Sequence, residues 1–218
     1  MNNTTTSFGL YETFRILVPG FYFATLLFFF VVALFPHFGI NIAQGEQTVL
    51  LFICLAIVSG LTMYAKETTK RRKAFQENQP SAFLVNKART MSKIQPLEDS
   101  EAQRLYFYML NNFMPAVFHE KIFFFGTVYH IMILVRRTSF WFAVASAAAI
   151  AILVSMGTNL NEQQLLTTFT VIVWVVYLLN VRYNKADRKM QENYRDQIFW
   201  LEMNNDLVEQ LLRKRRPS

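Results

Sequence analysis

The segments Ser139–Met156 (SFWFAVASAAAIAILVSM) and Leu165–Val181 (LLTTFTVIVWVVYLLNV) decide the fold, because neither contains a charged residue. A helix that crosses a bilayer needs about 20 mostly apolar residues, with a tolerated range of roughly 17–25, and both segments reach the lower end of that range. The linker between them, Gly157–Gln164, has only eight residues, so the two helices must run antiparallel. We therefore predict a transmembrane hairpin over residues 139–181.

A second hairpin is predicted near the start of the chain. Its spans cover residues 16–35 and 48–65, and Pro36–Gln47 joins them. Pro19 falls in the first turn of the first span, where a missing backbone N–H costs little, and Arg15 is expected to extend to the bilayer interface. The sequence thus predicts an all-α, four-span helical membrane protein. Its parts are an N-terminal transmembrane hairpin at 1–65, a helical cytosolic region at 66–138, the second transmembrane hairpin at 139–181 and a C-terminal cytosolic helix at 182–218.

The charged residues predict the orientation of these spans. The chain carries 22 Lys and Arg against 15 Asp and Glu, a net charge of +7, yet the loops at 36–47 and 157–164 contain no basic residue. Cytoplasmic segments of membrane proteins carry an excess of Lys and Arg. We therefore place both termini and residues 66–138 in the cytoplasm, and expect a bacterial inner membrane. The lipid bilayer accounts for the positive charge, so nucleic acid is not an expected partner. Six basic residues border the second hairpin: Arg136, Arg137, Arg182, Lys185, Arg188 and Lys189.

Two segments of the cytosolic region need separate interpretation. Lys66–Asn78 continues the second span as a charged helix, in which Glu67 and Arg71 have the spacing of a helical ion pair. Ile122–Val135 (IFFFGTVYHIMILV) is apolar, but its 14 residues are too few for a comfortable span. We interpret it as a helix that is either buried in the cytosolic region or lying under the membrane surface.

The predicted C-terminal helix has its apolar residues in alternating steps of four and three, which is the rhythm of a coiled-coil seam. Asn205 occupies a core position of this pattern, where an asparagine can fix register and oligomeric state. Two interpretations stay open: the seam packs on the cytosolic region of its own chain, or it forms a short coiled coil. The seam residues are Tyr194, Ile198, Leu201, Asn205, Val208 and Leu212.

Small residues recur every four positions in two of the spans. Such a pattern lets transmembrane helices approach closely, either within one chain or between copies, so we expect a homo-oligomer. The small residues are Ala56 and Gly60 in the second span, and Ala143, Ala147, Ala151 and Ser155 in the third.

His119, Glu120 and His130 form a weak candidate metal site, because two imidazoles and a carboxylate can ligate a metal. The HExxH pattern is absent, and Pro115 and Gly126 argue against one continuous helix, so we prefer hydrogen-bonded core or interfacial histidines. No P-loop, GxSxG or glycine-rich dinucleotide turn occurs. We therefore predict no catalytic residue, metal or cofactor. The predicted spans also lack Asp, Glu, Lys, Arg and His, which argues against proton-coupled transport.

These features favour a non-enzymatic, oligomeric integral membrane protein. Its cytosolic region connects directly to spans two, three and four, so we expect it to couple a cytosolic protein partner or signal to the membrane bundle, as a sensor or scaffold. Small proteins of this architecture occur among bacterial defence effectors and sensors, which is an analogy of architecture only. Two alternatives stay open. One is a pore-forming or membrane-permeabilising effector, and the other is a lipid-modifying enzyme that uses His119, Glu120 and His130.

Overall fold

A computed structural model describes residues 4–39, 45–75, 78–91, 95–159 and 163–214. These residues form helices and no strands, which confirms the predicted all-α class. A short 3₁₀ turn, Phe35–Phe38, follows the first helix. The α-helices are α1 Thr4–Leu34, α2 Glu46–Ala74, α3 Pro80–Thr90, α4 Asp99–Asn112, α5 Ala116–Ser155, α6 Gln164–Tyr183, α7 Ala186–Met203 and α8 Asn205–Lys214.

Four stretches of helix are long and apolar enough to cross a membrane. They are Gly9–Phe38, Glu46–Arg71, Ala116–Ser155 and Gln164–Met203. Each overlaps one of the four predicted spans, and only Met156, the last residue of the third predicted span, lies outside its helix. The chain is therefore a multi-pass membrane protein.

The membrane helices are longer than the predicted spans. Because α1 begins at Thr4, Pro19 lies in its interior and not in its first turn. The prediction of a separate helix at 122–135 is also wrong, because α5 runs from Ala116 to Ser155 without a break. Nothing in Arg136–Thr138 interrupts a helix, and a single interior glycine such as Gly126 costs only about 1 kcal/mol relative to alanine.

The chain divides into two compact units, which we describe separately. The membrane unit comprises Phe8–Thr68 and Thr127–Ala186, and the polar unit comprises Met1–Ser7, Thr69–Gly126 and Asp187–Ser218. Residues 127–138 therefore group with the apolar helices, whereas the sequence had placed them with the cytosolic region. Helices α1, α2, α5 and α7 each contribute residues to both units.

Two contacts between helices organise the membrane unit. Helices α1 and α2 touch backbone to backbone, since a Cβ atom added to Gly60 would lie 2.3 Å from the Ile16 carbonyl oxygen. Helices α5 and α6 pack through Phe142 and Phe169, whose rings meet edge-on at 6.5 Å. Phe30 of α1 joins this contact, so α1 lies against α2, α5 and α6.

The core of the polar unit is formed by α3, α4, α7 and α8. Leu201, Val208 and Leu212 of the predicted C-terminal seam are all buried in it. This contact agrees with the interpretation that the seam packs on its own chain. The predicted single helix is in fact two, because α7 ends at Met203 and α8 begins at Asn205. The core residues shared with the other helices are Leu84, Val85, Ala88, Leu97, Ala102, Tyr106, Met109, Leu110 and Met114.

Candidate functional site

The membrane unit contains ionisable side chains that are buried (Arg15, Glu67 and His130) or half-buried (Glu12 and Arg137), although the predicted spans exclude them. They lie on the extensions of α1, α2 and α5 beyond the predicted spans, together with two uncharged partners, one of which is at the end of the second predicted span. We call this set the buried cluster. Its members are Glu12, Arg15, Tyr64, Glu67, Thr127, His130 and Arg137.

Together with Glu12, Arg15 connects three helices. Its side chain is buried, Nη1 lies 2.5 Å from Glu12 Oε1, and Nε donates to Thr127 Oγ1 at 3.1 Å. The other oxygen of Glu12 accepts a hydrogen bond from the Tyr64 hydroxyl at 2.5 Å. One carboxylate and one guanidinium therefore link α1 to α2 and α5. No sequence pattern indicates this contact, because Arg15 and Thr127 are 112 positions apart.

Glu67 forms the second ionic contact of the cluster. Its side chain is 1% exposed, and Arg137 of α5 donates to it through Nη1. Helical spacing had suggested Arg71 as its partner, since spacing detects only neighbours on one helix. Removing one member of a buried ion pair costs about 3–5 kcal/mol, because it leaves the other charge without compensation. The Arg137 side chain is 41% exposed, whereas the Glu67 side chain is 1% exposed, so loss of this contact affects mainly the buried Glu67 carboxylate.

The two histidines do not form a metal site. His130 is fully buried in the membrane unit, where its ring lies 5.4 Å from the ring of Tyr64. His119 belongs to the polar unit, and its Nε2 lies 2.5 Å from the Leu110 carbonyl oxygen. Glu120 is exposed. Among the described residues, no three His, Cys, Asp or Glu side chains are grouped as metal ligands.

The buried cluster lies beside two of the points where the chain leaves the membrane unit. The chain crosses between the units at residues 7–8 in α1, at 68–69 in α2 and at 126–127 in α5, and the cluster members Glu67 and Thr127 adjoin the latter two. A fourth such point, at residues 186–187, has polar contacts of its own. Asn184 Nδ2 donates to Asn180 Oδ1 at 2.9 Å and to the Met132 carbonyl at 3.4 Å. Polar contacts therefore hold the helices of the membrane unit at the last three of these exits.

The small-residue stripe of the third span is only partly used within the chain. Ala143 is fully buried, whereas Ala147, Ala151 and Ser155 are exposed. A four-residue step overshoots a helical turn by roughly 40°, so the stripe rotates away from the buried face. The residues that stay on that face are Ser139 and Ala143, and the Ser139 hydroxyl lies 2.7 Å from the Tyr22 hydroxyl.

Ala56 and Gly60 of the second span lie at the contact with α1. Both are buried, and a Cβ atom on the facing Gly20 would lie 2.0 Å from the Ala56 carbonyl oxygen. Gly20 was not predicted at this contact, because the pattern of small residues was sought only within single helices.

The remaining predicted residues have surface roles. Tyr194 contacts the Phe75 ring at 5.7 Å, Ile198 is half-buried, and Asn205 donates to Glu209 at 3.0 Å on its own helix. The guanidinium of Arg182 lies 5.7 Å from the Tyr183 ring. Arg136 is half-buried. Lys185 is exposed and has no ion pair to another described residue. Arg188 and Lys189 are exposed, and both pair with Glu192.

The polar unit contains a buried polar group that the sequence did not indicate. The Tyr106 hydroxyl donates to Gln197 Oε1 at 2.6 Å, and both side chains are buried. Burial raises the pKa of Tyr106, and the neighbouring Tyr194 adds to the effect. A neutral phenol therefore joins α4 to α7.

Comparison with known proteins gives no relative. No family model, curated protein or solved structure matches the chain.

Proposed function

We propose that the chain is a non-enzymatic, oligomeric integral membrane protein whose polar unit couples a cytosolic protein partner to the membrane unit. In this proposal the membrane is a bacterial inner membrane, with both termini and the polar unit in the cytoplasm. The basic residues support that orientation, because the loops at 36–47 and 157–164 have none.

The position of the buried cluster carries this proposal. Its ionic contacts adjoin the exits at residues 68–69 and 126–127. A partner that shifts the polar unit would act on α2 and α5 beside these contacts. A buried ion pair is sensitive to such a shift, because separated charges in a low-dielectric environment are costly. The cluster is therefore suited to distinguish two arrangements of the membrane helices.

Coupling is testable without knowledge of the natural partner. Met109 is fully buried in the polar unit, so Met109→Ala should loosen that unit by about 2–5 kcal/mol. We expect faster hydrogen–deuterium exchange in α1 and α6 when the variant is reconstituted in nanodiscs. Phe107→Ala is the control, because Phe107 lies on the same helix but is exposed. Faster exchange confined to the polar unit would refute the coupling.

The exposed small residues of α5 support assembly between copies. Ala147 and Ala151 are both exposed, and small residues allow transmembrane helices to approach closely. Ala147→Leu should reduce the oligomer to smaller species in native mass spectrometry from nanodiscs. The control is Ala145→Leu, since Ala145 is also exposed but lies roughly 200° away around the helix. Unchanged assembly in Ala147→Leu would refute this role.

A pore-forming protein is the alternative that the same architecture permits. Two buried hydroxyls of the membrane unit argue for packing instead of a water lining, because they donate to carbonyls of their own helices. Ser146 donates to Ala143 at 3.2 Å, and Thr170 donates to Leu166 at 2.7 Å. The two functions are distinguished by dye leakage from liposomes. Leakage with the Met109→Ala variant, and none with Phe107→Ala, would favour the pore.

A further inference from the structure

A groove between α1 and α2 is the feature that the proposed function does not use. It encloses about 440 Å³, which falls within the range of roughly 300–1,000 Å³ that is typical of small-molecule sites. All of its lining residues belong to the membrane unit. They include Thr25, Phe28 and Phe29 of α1 and Thr48, Val49 and Phe52 of α2.

The groove follows from the change of side-chain size along the two helices. At Gly20 and Gly60 the backbones of α1 and α2 are in contact. Two turns further along α1, the rings of Phe28 and Phe52 meet edge-on with 6.4 Å between their centroids. Large rings hold helices farther apart than glycines do, so space opens beside them.

We propose that this groove binds one acyl chain of a membrane phospholipid. The groove is continuous with the lipid-facing surface, since Phe29 and Val49 are 52% and 60% exposed on its rim. Among the described residues that line it, none is charged, and the polar side chains are those of Thr25 and Thr48. Hydrocarbon chains therefore match both its chemistry and its surroundings.

A phospholipid chain fits this lining better than a helix from another copy does. Helices associate in membranes through small residues that let backbones approach, whereas three phenylalanine rings line the groove. A flexible chain can follow the irregular surface of the rings. Because residues 36–47 contain no Lys or Arg, the headgroup has no cationic partner there. Recognition therefore depends on the chain and not on headgroup charge.

Two valines of α2 provide a matched test. Val49 lines the groove and is 60% exposed, whereas Val58 is 62% exposed and lies outside it. The full chain, purified from phospholipid nanodiscs into lipid-free detergent, should retain one phospholipid in native mass spectrometry. Val49→Trp should lower the retained fraction by about tenfold, because the indole replaces the buried methylenes of the chain. Val58→Trp should retain lipid like the wild type.

Further arms of the experiment distinguish other outcomes. Phosphatidylcholine and phosphatidylglycerol with identical chains should be retained equally, and strong retention of only the anionic lipid would overturn the proposal. A phospholipid with a photoreactive chain should crosslink to wild-type residues 25–29 and 48–52 more than to the exposed face of α6 at 171–175. This arm does not depend on the folding of a variant. Three results would each overturn the proposal. Crosslinking could be uniform over the membrane helices, the wild type could retain no lipid, or the groove could hold a second protein chain in place of lipid.

Discussion

The close contact between α1 and α2 makes Gly60 a position where one methyl group has a large effect. In Gly60→Ala the new Cβ atom would lie 2.3 Å from the Ile16 carbonyl oxygen, whereas ordinary contacts begin at 3.4 Å. The missing 1.1 Å cannot come from a side-chain rotation, because the obstructing atom belongs to the backbone. The two helices must therefore move apart or deform.

The expected cost follows from this geometry. Overpacking of a well-packed contact costs about 1–3 kcal/mol. Because the obstructing atom belongs to the backbone, we expect Gly60→Ala to cost about 2–3 kcal/mol, in the upper part of that range. Gly9 supplies the matched control within α1, since nothing lies within 4 Å of its added Cβ atom. Gly9→Ala should stabilise the helix by roughly 0.5–1 kcal/mol, because alanine loses less backbone entropy than glycine.

The assay is reversible unfolding in mixed detergent–SDS micelles, followed by helical circular dichroism. Gly60→Ala should lower the free energy of unfolding, and Gly9→Ala should leave it unchanged or raise it. Equal destabilisation by both variants would show that glycine acts through helix propensity and not through the contact with Ile16.

Three further predictions concern polar contacts. Tyr106→Phe leaves buried Gln197 Oε1 without its donor and should cost the polar unit about 1–3 kcal/mol in denaturant unfolding. Burial raises the pKa of Tyr106 in the folded protein, so above about pH 10 the phenol ionises only in the unfolded chain. The wild-type polar unit should therefore lose stability above that pH, and Tyr106→Phe should lose less. Hydrogen bonds from Lys87 of α3 and from Asn205 lower the pKa of the Glu209 carboxyl. Docking of α8 should therefore weaken as the pH falls below the unfolded value of about 4.3, measured by spin-label mobility on α8 with E209Q as control. Arg137→Ala should destabilise the membrane unit by about 3 kcal/mol and more than Glu67→Gln does, as judged by unfolding in micelles, since only the former removes a cationic partner while the buried Glu67 carboxylate keeps its charge.

Hydropathy predicted four spans because each contains an uncharged block long enough to cross a bilayer. The ends of the helices were not predictable in the same way. The predicted spans stop at charged residues such as Arg15 and Arg137, where a hydropathy pattern changes. The helices continue because those charges have partners on other helices.

The buried cluster itself was beyond sequence reasoning. Spacing rules find pairs three or four positions apart, but Glu67 and its partner Arg137 are 70 positions apart. Likewise, the spacing of small residues in the third span could not tell which side of α5 the other helices occupy, so the stripe includes the buried Ala143 together with the exposed Ala147, Ala151 and Ser155. Both failures have one cause, since a single sequence contains no direct record of tertiary contacts.

The buried ion pair also sets the size of signal that the proposed coupling requires. If an arrangement of the membrane helices that separates Glu67 from Arg137 costs about 3 kcal/mol, a partner must bind that arrangement on the order of 10² times more tightly than the resting one. A ligand with millimolar affinity has only about 4.1 kcal/mol of binding energy in total, whereas a nanomolar protein interface has about 12.3 kcal/mol. The roughly 3 kcal/mol between the two arrangements equals most of the binding free energy of the millimolar ligand, but only about a quarter of that of the nanomolar protein interface. The energetics of the cluster therefore favour a protein partner over a weakly bound metabolite.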